Sequence, residues 1–160
     1  MFDRITFDPQ IMGGRASIRG MRIPVSVVVS QIAHGATVEE ILDGYPDLTR
    51  EDIQQTLEYA AWLTREQVRT AFHEGRWNGD MTLKPPFDRI TIEADKMGGQ
   101  PCIGGLRLTV RRVLEVMAAY PDRQELFREY PSIEEEDLRQ ALAFAAVNLD
   151  DRVDILELAS

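Results

Sequence analysis

Met12-Gly13-Gly14-Arg15-Ala16-Ser17-Ile18-Arg19-Gly20-Met21-Arg22-Ile23-Pro24-Val25 reads as two short extended segments, joined by a glycine turn and feeding a helix. Gly13-Gly14 supplies a permissive backbone, and Gly20 is the residue expected at positive φ between the extended pieces. Pro24 has a fixed φ and no amide donor, which suits the first turn of a helix. The stretch returns about 85 residues later as Met97-Gly98-Gly99-Gln100-Pro101-Cys102-Ile103-Gly104-Gly105-Leu106-Arg107-Leu108-Thr109-Val110. Self-similarity at a fixed spacing marks a chain built from repeats.

Outward from this stretch the repeat continues without insertion or deletion. Phe2-Asp3-Arg4-Ile5-Thr6 recurs as Phe87-Asp88-Arg89-Ile90-Thr91, and the pairs Tyr45/Tyr130, Pro46/Pro131, Asp52/Asp137, Gln55/Gln140 and Leu57/Leu142 are identical. The boundaries that follow are a first repeat at 1–75, a linker at 76–86 and a second repeat at 87–160. The linker, from Arg76 to Pro86, has no apolar period and ends in a proline pair. Its Trp77 and Leu83 are apolar enough to be expected against one of the repeats.

Within the first repeat, Arg4-Ile5-Thr6-Phe7 predicts a short strand stopped at Asp8-Pro9. Val25, Val28, Val29, Ile32 and Ala33 form one apolar stripe on a helix that ends at Gly35. Thr37-Val38-Glu39-Glu40 is a capping-box pattern opening a short second helix, which stops at Tyr45-Pro46. Thr49-Arg50-Glu51-Asp52 opens a third, whose apolar positions run from Ile53 through Phe72 and carry it to about Glu74. The second repeat predicts helices near 110–119, 122–129 and 133–158. The expected fold is mainly α with short β-strands: two tandem trihelical helix-turn-helix units, each preceded by a small ribbon and packed pseudo-symmetrically. A unit of this size has a marginal core alone, so the two are expected to bury surface against each other.

Composition narrows the function. The chain of 160 residues is 44% hydrophobic and 28% charged, an ordinary globular balance, and it has no apolar run long enough to cross a bilayer. With no secretory leader pattern at Met1-Phe2-Asp3-Arg4-Ile5, a cytoplasmic location is expected. One cysteine, Cys102, and two histidines, His34 and His73, provide neither a disulfide nor a metal-ligand cluster. Gly13-Gly14 lacks the following Lys-Ser/Thr of a phosphate-binding loop, and no acid–base dyad or nucleophile with a base recurs. No catalytic residue, cofactor or metal is expected.

A net charge of −9 opposes indiscriminate polyanion binding. The first repeat with the linker carries nine basic and twelve acidic residues against nine and fifteen in residues 87–160, so nucleic-acid contacts are expected in the first repeat. The candidates are Arg15, Arg19 and Arg22 around the glycine turn, and Arg50, Gln54 and Gln55 in the first turns of the third helix. Arginines on a ribbon suit phosphates or an acidic partner surface, whereas glutamine suits adenine. Each has a structural alternative: pairing of the arginines inside the fold, with Arg22 and its counterpart Arg107 the foremost case, and simple helix capping around Glu51 and Asp52. The acidic stretches Glu134–Asp137 and Asp150–Leu158 read either as solvated faces or as a surface for a basic partner.

The run G-G-x-x-x-I-R-G-x-R-I-P-V, followed by A-H-G-x-T-V-E-E-I-L-x-x-Y-P-x-L-T-x-E-D-I and Y-A-A, resembles the DUF433 family. The resemblance is close over residues 2–65 and weaker over 87–149. It implies a homeodomain-like trihelical fold and an antitoxin role of the VapB type, neutralising a PIN-like nuclease toxin, with operator DNA bound through the first repeat. A homodimer is also possible, and membrane attachment is not expected. The competing expectation is a structural or scaffolding module that binds no DNA. The second repeat departs from the pattern where Arg19 becomes Gly104, Pro24 becomes Thr109, and His34-Gly35-Ala36-Thr37 becomes Ala119-Tyr120-Pro121-Asp122.

Overall fold

A computed structural model of the chain describes residues 2–73, 81–82, 87–93, 95–104 and 106–158. Strand β1 (Ile5–Thr6) pairs antiparallel with β2 (Ser17–Ile18), Ile5 opposite Ile18, and a bridge from Ser17 to Pro24 extends the ribbon to the start of α1 (Val25–Ala33). Helices α2 (Val38–Gly44) and α3 (Arg50–His73) follow. The second half repeats the order with β4 (Ile90–Ile92), β5 (Cys102–Ile103), α4 (Val110–Ala119), α5 (Arg123–Glu129) and α6 (Glu135–Leu158). Ile90 stands opposite Ile103, and a bridge from Cys102 to Thr109 matches that from Ser17 to Pro24.

The local signals act as the residues dictate. Pro24 is the N-cap of α1 at φ −66°, ψ 145°, directly before the first helical residue. The Thr37 hydroxyl accepts the Glu40 amide while the Glu40 carboxylate accepts the Thr37 amide, so the capping box is complete. Gly35 takes φ +93° just past the end of α1, and the His34 ring donates through Nδ1 to the Ser30 carbonyl at 2.6 Å. Between α2 and α3 the turn is held by the amides of Tyr45 and Leu48, which donate to Ile41 and Tyr45, and Leu48 is buried beneath it. Ile133 fills the same place in the second repeat.

The apolar stripe of α1 is buried as its spacing requires: Val25, Val28 and Val29 are fully enclosed. One continuous core then joins both repeats, from Ile5 and Ile18 through Leu142 and Leu149. The long helices exchange partners. Helix α3 of the first repeat packs chiefly on α4 of the second, and α6 of the second packs chiefly on α1 of the first. The two halves thus interlock reciprocally around an approximate twofold relation, as expected for pseudo-symmetric packing.

One part of the linker differs from expectation. Met81–Thr82 forms a strand, β3, on the free edge of β4, with Met81 opposite Ile92 and Thr82 opposite Thr91. The second ribbon is therefore three-stranded and the first two-stranded among the described residues. Trp77 and Leu83 lie outside the described residues, as does Glu74. Among the described residues no helix is long and apolar enough to cross a membrane.

Candidate nucleic-acid or partner interface

The glycine turn forms where Arg19 and Gly20 both adopt left-handed conformations, at φ +47° and +70°, and the Met21 amide closes the turn on the Ile18 carbonyl at 2.8 Å. Two successive left-handed residues match the right-handed twist of a tight hairpin. Glycine takes this backbone without cost, but a residue with a Cβ is strained there. Arg19 carries that strain and the second repeat avoids it, placing Gly104 in the same conformation at φ +49°.

The strained backbone aims Arg19 at Asp52. Its Nε lies 3.0 and 3.1 Å from the two carboxylate oxygens and its Nη2 2.9 Å from Oδ2, while Nη2 also donates to the Asp47 carbonyl. Arg4 closes on the same carboxylate from β1, Nη1 to Oδ1 at 2.8 Å. Asp52 is in addition the third helical residue of α3: its Oδ2 accepts the Thr49 amide at 2.8 Å, and its own amide donates to the Thr49 hydroxyl at 3.3 Å. One fully buried carboxylate thus ties the ribbon, the glycine turn and the start of α3 together. Burial pushes the Asp52 carboxyl up, but the hydrogen bonds from Arg19, Arg4 and Thr49 outweigh it and hold it below its ordinary value.

Gln55 completes the clamp one turn along. Its Oε1 accepts the Arg4 amide at 2.7 Å and its Nε2 donates to Asp3 at 2.6 Å. Gln140 makes the same pair of contacts, with the Arg89 amide at 2.9 Å and with Asp88 at 2.8 Å. Arg89 reaches Asp137 at 2.9 Å, as Arg4 reaches Asp52. Among the described residues nothing takes the place of Arg19; instead Glu134 stands where Thr49 does and binds Arg89 at 2.6 Å. These carboxylates raise the Arg89 pKa further, Glu134 first and Asp137 second.

The six candidate residues therefore divide. Arg19 and Gln55 are spent on contacts within the fold. Arg50 is exposed and pairs with Glu39 across to α2 at 2.5 Å, and Gln54 donates to Glu58 at 3.0 Å along α3. Arg15 and Arg22 are exposed, and neither side chain has a hydrogen bond or ion pair among the described residues. The expected division is thus reversed at one point: Arg22 and Arg107, which recur in both repeats, are exposed and have no ion pair or side-chain hydrogen bond among the described residues, whereas Arg19, present in the first repeat alone, is built into the fold. Spacing does not show which arginine a carboxylate 33 residues away will reach. Arg4 and Asp52 had a signal, recurrence as Arg89 and Asp137, but nothing in the sequence joined them to Arg19.

The chain belongs to the DUF433 family, described as "Protein of unknown function (DUF433)", which it matches over residues 5–60 and again over 90–145. It is similar to the uncharacterized protein y4eO of Sinorhizobium fredii, with 39% identity over 56 residues, 35% of this chain. The match spans 25% of that protein's length. No solved structure matches the chain.

Proposed function

We propose that the chain is a non-enzymatic binding protein of the antitoxin kind, which captures a PIN-like nuclease toxin and binds operator DNA through its first repeat. The observation that carries the DNA part is the pair Arg15 and Arg22, exposed guanidinium groups on either side of β2 that the fold leaves unpaired. Unpaired arginines on a short ribbon are suited to phosphate oxygens, to which they donate in a planar fork. Arg50 and Gln54, exposed in the first two turns of α3, are next in line for base edges, at the cost of releasing Glu39 and Glu58. The start of α6 is acidic, with Glu135 and Glu136 in its first turn and Glu134 just before it, and takes no part in DNA contact.

A salt titration of the full chain on DNA from upstream of its own gene tests this. Each phosphate contact contributes a slope of about −0.9 in log K against log salt, so the double variant Arg15→Ala/Arg22→Ala should flatten the slope by about 1.8. An unchanged slope in the double variant removes those arginines from the interface. Absence of binding at low salt removes the operator role. Co-expression with the neighbouring gene product tests the antitoxin part, with relief of nuclease toxicity as the expected result.

A second reading, a scaffold that binds no DNA, is favoured by the use of Arg19 and Gln55 inside the fold and by the acidic starts of both long helices. A stable complex with the nuclease and no mobility shift of DNA at any salt would select it.

A further inference from the structure

A cleft of about 750 Å³ opens between the repeats, within the size range of small-molecule sites. Its lining draws on equivalent positions of the two halves, Thr37 and Asp122, Val38 and Arg123, Arg50 and Glu135, so both repeats contribute matching parts of the same cleft. The floor is apolar, with Ile53, Leu57 and Met117. The rim is charged with both signs.

Arg123 is the unusual member. Where the first repeat has an apolar Val38, the second sets a guanidinium, and its Nη1 is enclosed with no hydrogen-bond partner. A buried donor left without an acceptor is costly, and such groups in native folds call for a partner. Burial also lowers the Arg123 pKa, an effect only partly opposed by the charge of Glu135. The other basic group of the cleft, Arg50, is already engaged by Glu39. Asp122, Glu125 and Glu135 then outnumber Arg123, so a simple anion would meet net repulsion. A simple cation would leave Arg123 without its acceptor.

We propose that the cleft binds a small zwitterion with an apolar body, an apolar amino acid or dipeptide. Its carboxylate takes the Arg123 guanidinium, which on binding rotates about its terminal torsions to bring the enclosed Nη1 to the ligand. Its ammonium group lies among Asp122, Glu125 and Glu135, and its side chains cover Ile53, Leu57 and Met117. The ligand touches both repeats, so its occupancy fixes how α2 and α3 sit against α4 and α5.

The test is calorimetric titration of the full chain with three probes: leucyl-phenylalanine, its C-terminal amide and its N-acetyl form. The expected result is one site per chain with a Kd of about 10–1000 µM for the free dipeptide, and at least about tenfold weaker binding of each blocked form. Arg123→Met should remove the preference for the free carboxylate over the amide while leaving the discrimination against the N-acetyl form. Thermal unfolding of Arg123→Met, at or above that of the parent, shows that the variant is folded. Absence of binding by the free dipeptide at about 10 mM overturns the proposal. Equal binding of all three probes, or an unchanged acid-over-amide preference in Arg123→Met, overturns it as well.

Discussion

Asp52 has 0% of its side chain exposed, and the two arginines on it have 32% and 39%. Solvent therefore reaches the cations but not the anion, and the anion is the costly group to disturb. Asp52→Asn removes the charge that satisfies both arginines and leaves one acceptor oxygen where the arginines and the Thr49 amide use two, with an NH2 donor set in place of the other, and a loss of about 2–4 kcal/mol is expected from urea unfolding. Arg19→Gly should cost far less. It gives up one partner of Asp52 but relieves a left-handed non-glycine residue, worth about 1 kcal/mol in the opposite direction, and Arg4 remains in place. A Gly variant as damaging as Asp52→Asn would show that Arg19, not Arg4, carries the clamp. The same carboxyl sets an acid limit. Its folded pKa lies below the ordinary aspartate value of 3.8, so its contribution is fully present above about pH 4 and is lost as the pH falls through the folded value. Denaturation midpoints measured from pH 6 down to about pH 2 should fall less steeply in Asp52→Asn than in the parent chain. Glu136, held at about 2 by Arg139 and then Gln140, adds in the same direction, but it is partly exposed and solvent screening keeps its share small.

Among the elements, α3 holds one internal conflict. Thr56 is fully buried with its hydroxyl unpartnered, and the second repeat places Ala141 at that position. Thr56→Val keeps the shape and removes the orphan hydroxyl, and a gain of about 1 kcal/mol is expected, read as a higher melting temperature. Thr37→Ala breaks the reciprocal capping box of α2 and should cost about 1 kcal/mol. The helices were legible in advance because each carries its own start and stop: Pro24 and Gly35 around α1, Thr37 before α2, Thr49 before α3. Strand β3 was not, since two residues cannot display an alternation. The Arg19 contact was hidden for another reason. Its partner is brought close by the turn between α2 and α3, and no local spacing encodes that. An apolar stripe shows that a helix must bury one face, and it does not name the helix it will bury it against.

That missing information decides the behaviour of the whole molecule. Helix α3 spends its apolar face on α4, and α1 receives α6, so a piece containing residues 1–75 lacks the partners of both. Since α4 and α6 are the counterparts of α1 and α3, two such pieces can supply each other. The isolated first repeat is expected to be a homodimer by light scattering, with unfolding that depends on protein concentration. A folded monomer would contradict the interlocked arrangement.

Two identical subunits around an axis must repeat every side chain, so an arginine facing a glutamate across it would face it twice, in mirrored roles. This chain escapes that rule. Where one half has Arg50 the other has Glu135, and where one has Val38 the other has Arg123, all four lining one cleft, combinations that no self-complementary dimer offers at equivalent positions. Covalent fusion therefore gives the molecule the freedom of a heterodimer at a fixed one-to-one stoichiometry. Any partner that spans both halves meets a surface with a direction, and reads it one way round.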